Sequence, residues 1–176
     1  MTYSRLPAVA AMALAFSLTA CAKPEPAKPA VDTAKAAEAV KADFADLVAA
    51  FNAKDAEKGV SHDLPNYVGM FHGAPNVNGP AEDLALTKQQ LADPAANVKV
   101  TDSVVDVAAA GDMAVVRATY EYTLTDPKTK KPTVEHGNWV LGYKAQTDGG
   151  WKLAWTVVSD TPAPAAAAAP AAEPAK

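Results

Sequence analysis

The hydrophobic period of this chain changes once, at Asp93-Pro94, and that change confines the folds open to it. Upstream, Ala37, Val40, Phe44, Leu47, Val48 and Phe51 recur at helical spacing, with Lys35, Glu38, Lys41 and Asp46 on the other side. Asp32 or Thr33 can cap that helix and Asn52 suits the reversal after it. Asp55 can cap a second, short helix running towards His62 and ended by Pro65. Residues 67–72 read as a short strand, stopped by Gly73-Ala74-Pro75. Gly79-Pro80 opens a third helix, where the N–H that proline lacks would be unpaired anyway. Glu82 and Asp83 suit its positive end, and Lys88 lies nearer the negative one. Downstream of Asp93-Pro94 the period is two, and strands are expected over 98–107, 113–125, 133–145 and 151–159. Their turns are Ala110-Gly111-Asp112, Asp126-Pro127-Lys128 and Thr147-Asp148-Gly149-Gly150. Helices first and an antiparallel meander second predict an α+β architecture.

Low-complexity segments bracket this domain. Pro24, Pro26 and Pro29 stand among Ala, Lys and Glu, which predicts a flexible tether over 21–33. Residues 161–176 are almost only Ala, Pro, Glu and Lys and predict a disordered tail, leaving the globular domain to 34–160. Residues 1–20 read as a signal peptide: Arg5 supplies the positive n-region, and an apolar stretch over 6–18 is too short to anchor in a bilayer. That leader ends in Leu18-Thr19-Ala20-Cys21, which looks like a bacterial lipobox, after which the Cys21 thiol is acylated and becomes the mature N-terminus. Cys21 is the only cysteine in 176 residues, so no disulfide can form within the chain and no second thiol serves chemistry. Each buried CH₂ of an acyl chain holds the protein to a membrane by roughly 0.8 kcal/mol. Ala22 stands where an aspartate would signal inner-membrane retention, so similarity to known lipoproteins points to the outer membrane, facing the periplasm, in a Gram-negative cell.

The net charge is −4, and losing Arg5 with the leader makes the remainder more acidic still. Binding to nucleic acid needs a basic surface, and the basic residues here are scattered. No spacing of histidines and carboxylates suits a metal, no glycine-rich phosphate loop occurs, and no cofactor is implied.

Four segments in order carry a family resemblance: Ala50-Phe51-Asn52-Ala53-Lys54-Asp55-Ala56, Gly73 to Gly79, Gly111 to Tyr120, and Asp148-Gly149-Gly150-Trp151-Lys152. Over about 34–160 the chain resembles the SnoaL-like branch of the nuclear transport factor 2-like superfamily, which includes ketosteroid isomerase. Within that branch it is similar to a bacterial group of unknown function. The resemblance implies a cone: a curved, mostly antiparallel sheet wrapped around about three N-terminal helices, with a pocket at the open end and often a dimer. It does not imply one function, because members include isomerases, cyclases, dehydratases, binding modules and interaction domains. Two departures from the family pattern bear on catalysis. Met70-Phe71-His72 stands where ketosteroid isomerases carry a catalytic carboxylate, and Leu64-Pro65-Asn66 stands where the related bacterial group carries an acidic pair.

If the hairpin of strands 113–125 and 133–145 turns near Thr129, residues whose numbers sum to about 258 face one another. Tyr122 then meets His136 and Tyr120 meets Asn138, on one face with Val116, Ala118, Leu124, Val134 and Val140. With His72, these polar groups beside small Ala118 form the expected wall of a small-molecule pocket. The opposite face then collects Trp139, Leu141, Tyr143, Leu153, Trp155 and Val157, an apolar set expected to form a homodimer interface. Ser61-His62-Asp63 holds the letters of a hydrolase triad, but three neighbours on one turn point in different directions. The expectation is therefore a lipid-anchored envelope protein that binds a small, mostly apolar ligand without turning it over. A dimeric interaction module and an isomerase or dehydratase are the alternatives, and a buried carboxylate in the pocket is the observation that favours the last.

Overall fold

The computed structural model describes residues 31–162; the lipobox with Cys21, the tether up to residue 30 and the tail from residue 163 lie outside them. Helix α1 (Thr33–Asn52) starts where the Asp32 carboxylate accepts from the Lys35 N–H at 3.0 Å. Val40 and Phe44 form its buried stripe. Its end is pinned by Asn52, whose side-chain amide donates to the Val98 carbonyl and accepts from the Val98 N–H, both at 2.8 Å. The reversal itself uses Lys54 in the left-handed region, φ 63°. Asp55 caps α2 (Ala56–Val60) by accepting from the Lys58 N–H at 2.9 Å.

Strand β1 (Asp63–Phe71) begins four residues before the strand expected at Tyr67. Pro65 does not end a helix: it lies within β1, in the irregular stretch between Asp63 and Val68 where pairing with the neighbouring strand shifts register. Proline is tolerated there because no ladder N–H is required of it. A two-residue strand β2 (Val77–Asn78) precedes α3 (Gly79–Leu91), where Glu82 accepts from the Asn78 N–H at 2.7 Å. The meander follows as β3 (Asn97–Val107), β4 (Met113–Thr125), β5 (Pro132–Ala145) and β6 (Trp151–Thr161). Thr161 thus belongs to the last strand, where it pairs with His136, and not to a tail. The sheet order is β2-β1-β6-β5-β4-β3, antiparallel except for the parallel β1/β6 pair. α1 and α3 pack on one face of this sheet and make it the inside of a cone.

The β4/β5 register differs from the expected one by a single residue. Partners are Tyr122↔Glu135, Tyr120↔Gly137, Ala118↔Trp139 and Val116↔Leu141. The cause is the turn: Asp126 Oδ1 accepts from the Lys128 and Thr129 N–H groups, and Lys130 takes φ 58°. The Asp126 N–H then donates to the Lys131 carbonyl, closing a loop with four residues between the pair where a symmetric turn on Thr129 would have put five. Because side chains alternate, one residue of slip exchanges every β5 side chain between faces. Trp139, Leu141 and Tyr143 therefore join Val116, Ala118 and Tyr120 on the inner face, with Leu141 and Tyr143 fully buried. His136 and Asn138 face outward opposite Glu121 and Thr119, and Val134 and Val140 go with them. A bulge between β5 and β6 at Ala154 splits the remaining set: Leu153 is buried in the core, whereas Trp155 pairs with Gly142 and covers it on the outer face beside Val157.

Candidate functional site

The inner face of the sheet and the helices enclose a cavity of about 310 Å³. Its apolar wall comes from Leu47 and Phe51 of α1, Phe71 of β1, Leu86 of α3, Val98 of β3, Trp139 of β5, and Leu153 and Val158 of β6. The aromatic rings meet edge to face: Phe51 against Tyr122 at 6.1 Å between centroids, and Tyr120 against Trp139 at 6.4 Å. The Trp139 indole N–H is satisfied inside the sheet by Thr156 Oγ1 at 2.6 Å.

Into this apolar space project three carboxyl groups. Asp63 opens β1, is only 9% exposed, and leaves Oδ2 buried without a hydrogen-bond partner. Asp83, on the first turns of α3, lines the same cavity and acts on Asp63 both through its charge and as a hydrogen-bond partner. Burial chiefly, and then the Asp83 charge, raise Asp63 far above the ordinary carboxylate range, while Lys152 pulls modestly the other way. Burial raises Asp83 less, because Asp63 offers it a hydrogen. Burial raises both carboxyls and the Asp83 charge raises Asp63 further, so the pair resists ionising together. The Tyr67 phenol lies beside them and is kept protonated by burial and by the two neighbouring charges.

Glu135 is the third carboxylate. It accepts from the Tyr120 hydroxyl at 2.9 Å, and His72 Nε2 stands 3.7 Å from its other oxygen. Tyr120 reaches it by crossing β5 over Gly137, where any Cβ would collide with the phenol. Burial first, and the Glu135 hydrogen bond second, raise the Tyr120 pKa.

The structure thus brings His72, Tyr120 and Tyr122 into one cavity and leaves the other expected wall residues out of it. Ala118 packs in the core without lining the space, and His136 and Asn138 border a separate hollow. Trp139 and Leu153, expected at a dimer interface, are cavity wall; Leu141 and Tyr143 are core. Asp63, Asp83, Tyr67 and Glu135 are the functional groups that sequence reasoning passed over. The register hides Glu135, and Asp83 has a simpler local meaning as a favourable charge at a helix start. His62 and Asp63 are adjacent but serve different places: His62 Nδ1 meets Asp43 of α1 at 2.9 Å while Asp63 enters the cavity. Among the described residues no cluster of His, Cys, Asp and Glu suits a metal ion.

A cavity lined by helices and a curved sheet has counterparts among known proteins. The model of the SnoaL-like domain matches residues 40–164. The chain belongs to the SnoaL-like family. No curated protein matches the sequence. A ketosteroid isomerase-like protein from Erwinia carotovora atroseptica SCRI1043 is 20% identical and superposes with a TM-score of 0.60 over 70% of this chain and 95% of its own. A nuclear transport factor 2-like superfamily protein from Salmonella enterica serovar Typhimurium LT2 is 12% identical, with a TM-score of 0.63 over 77% and 97%. One from Novosphingobium aromaticivorans, with a cystatin-like fold, is 15% identical with a TM-score of 0.63 over 76% and 86%. At such identities the likeness establishes the fold of this SnoaL-like domain and nothing finer.

Proposed function

We propose that this protein is a lipid-anchored envelope protein whose SnoaL-like domain binds a small, mostly apolar molecule and moves a proton on it. The observation that carries the catalytic half is the Asp63–Asp83 pair, two interacting carboxyls raised by burial in one apolar cavity, which would share one proton. A base and an acid side by side suit a reaction in which a proton leaves one atom and returns to another, as in an isomerisation, or leaves together with a hydroxide, as in a dehydration. One relative of the same fold is described as ketosteroid isomerase-like, which accords with this class of chemistry. Apolar walls would hold the body of the ligand, while Tyr120 with Glu135 and His72 would orient a polar end.

The experiment uses whatever small molecule co-purifies with the protein. Incubated in deuterium oxide with wild type, it should gain deuterium at one carbon, and Asp83→Asn should slow that gain by about 10²–10⁴-fold, the usual worth of a general base. Binding without any exchange above the solvent rate would leave the protein a carrier, the reading its sequence alone favoured.

The anchor rests on the leader and Cys21. Cys21→Ser should abolish incorporation of a labelled fatty acid, and undiminished label would end the assignment. Homodimerisation is proposed through the outer sheet face. One row across four strands sets Val104, Arg117, Val140 and Val157 side by side there, with Val104 46% and Val157 37% exposed.

A further inference from the structure

We infer that the molecule taken by this cavity is an organic cation: an amine or quaternary ammonium carried on an apolar body. The inference deepens the pocket reading above and rests on it. Three of the cavity's lining residues are carboxylic acids, Asp63, Asp83 and Glu135, and none is lysine or arginine. Lys152 acts on Asp63 from outside the lining while donating to the Ser61 carbonyl, Lys88 pairs with Glu57, and Lys54 donates to the Ala96 carbonyl. His72 is the one lining side chain able to carry positive charge, and it already faces Glu135.

Charge alone would not make a site, but two further features are built into the same space. Asp63 Oδ2 is buried with no N–H or O–H of the protein donating to it, its carboxyl neighbour being Asp83, and a buried polar atom so left is costly unless something meets it in the functional state. The same cavity is lined by the aromatic rings of Phe51, Tyr122, Tyr120 and Trp139. The negative faces of such rings attract cations, and most strongly where water is excluded. An anion entering here meets three like charges or their dipoles. A neutral hydrocarbon gains the apolar contact but leaves Asp63 unpaired. A cation answers the carboxyls and the rings together. It also favours loss of the proton that Asp63 and Asp83 share, so its binding should release protons and tighten as pH rises. The charged and titratable groups facing that pair are Lys152 from β6, Tyr67 from β1 and Tyr143 from β5. Glu135 and His72 lie elsewhere on the same cavity wall.

Three probes of one shape test the inference: benzyltrimethylammonium, neutral neopentylbenzene and anionic phenylmethanesulfonate. Each is titrated into the full-length protein while the indole N–H resonance of Trp139 is followed. Benzyltrimethylammonium should bind about tenfold or more tighter than neopentylbenzene, since cation–π attraction and a buried carboxylate together exceed the 1.4 kcal/mol that tenfold represents. Phenylmethanesulfonate should bind weakest. In Asp83→Asn and Glu135→Gln the preference for the cation should shrink while affinity for neopentylbenzene holds, which also shows the variants are folded. Neopentylbenzene binding as tightly as the cation would overturn the charge inference and leave the pocket standing. Failure of all three probes to move the Trp139 signal would overturn both.

Discussion

Asp63 shows what a single residue can cost and supply. In an unfolded chain it ionises in the ordinary carboxylate range; in the fold, burial first and Asp83 second raise that value. A carboxyl whose folded value is raised favours the native state while it is protonated in both states. That advantage is lost as pH climbs from the ordinary range through the raised value. Asp63→Asn keeps the size and cannot ionise. It should therefore melt higher than wild type above neutral pH, by on the order of 1–3 kcal/mol, the range for a buried polar group left unpaired. The gap should close below the ordinary carboxylate range. Thermal melts from about pH 3 to 9 check this, and an offset that is the same at every pH would sink it. A residue whose loss raises stability is the pattern expected where a site is held against the preference of the fold. Gly137 works at the same scale: its missing Cβ is what lets Tyr120 lie across β5 and reach Glu135.

Among the elements, the β4–β5 hairpin decides most. Its lengths were legible: β4 has the bounds that alternation predicts, and β5 starts one residue earlier. Which face each side chain takes was not, because the choice rests on the Asp126 turn with Lys130 in the left-handed region, a matter of backbone geometry more than of pattern. Both faces of β5 carry apolar residues, so hydrophobicity did not arbitrate the register. The consequence for mutation is direct. Leu141 is fully buried on the inner face, where it packs with Val116 and Tyr143 in the core. Leu141→Glu would bury an unpaired charge there and should unfold the domain. Val157→Glu, on the outer face, should leave circular dichroism unchanged and convert a sedimenting dimer to monomer. A wild-type protein that is monomeric at high concentration would remove the dimer, and a folded Leu141→Glu would contradict the register.

At the scale of the whole molecule, the cone gathers its site from positions far apart in sequence. Asp63 on β1, Asp83 on α3 and Glu135 on β5 line one cavity because α3 packs against β1 and the sheet curves round to bring β5 opposite. No local spacing links these three acids. Two of them also sit in contexts with a simpler local meaning: Asp83 at a helix start and Asp63 beside His62. The helix order, the meander and the four segments of family resemblance, by contrast, are properties of neighbouring residues, and they led to the SnoaL-like family that the match over 40–164 establishes.

What the sequence determined by itself is what short-range physics encodes: a period of 3.6 giving way to a period of two, capping side chains at Asp32 and Asp55, and breakers between elements. Pro65 marks where that logic fails, since a proline excluded from a helix was equally at home in an irregular strand, and the bulge that accepts it exists only once β6 lies alongside. Tertiary structure alone decided the register, the bulge at Ala154, and the burial that raises two neighbouring aspartates. The reason is that a carboxyl's ionisation depends on the water and charge around it, and the chain acquires those surroundings only when distant segments close over it.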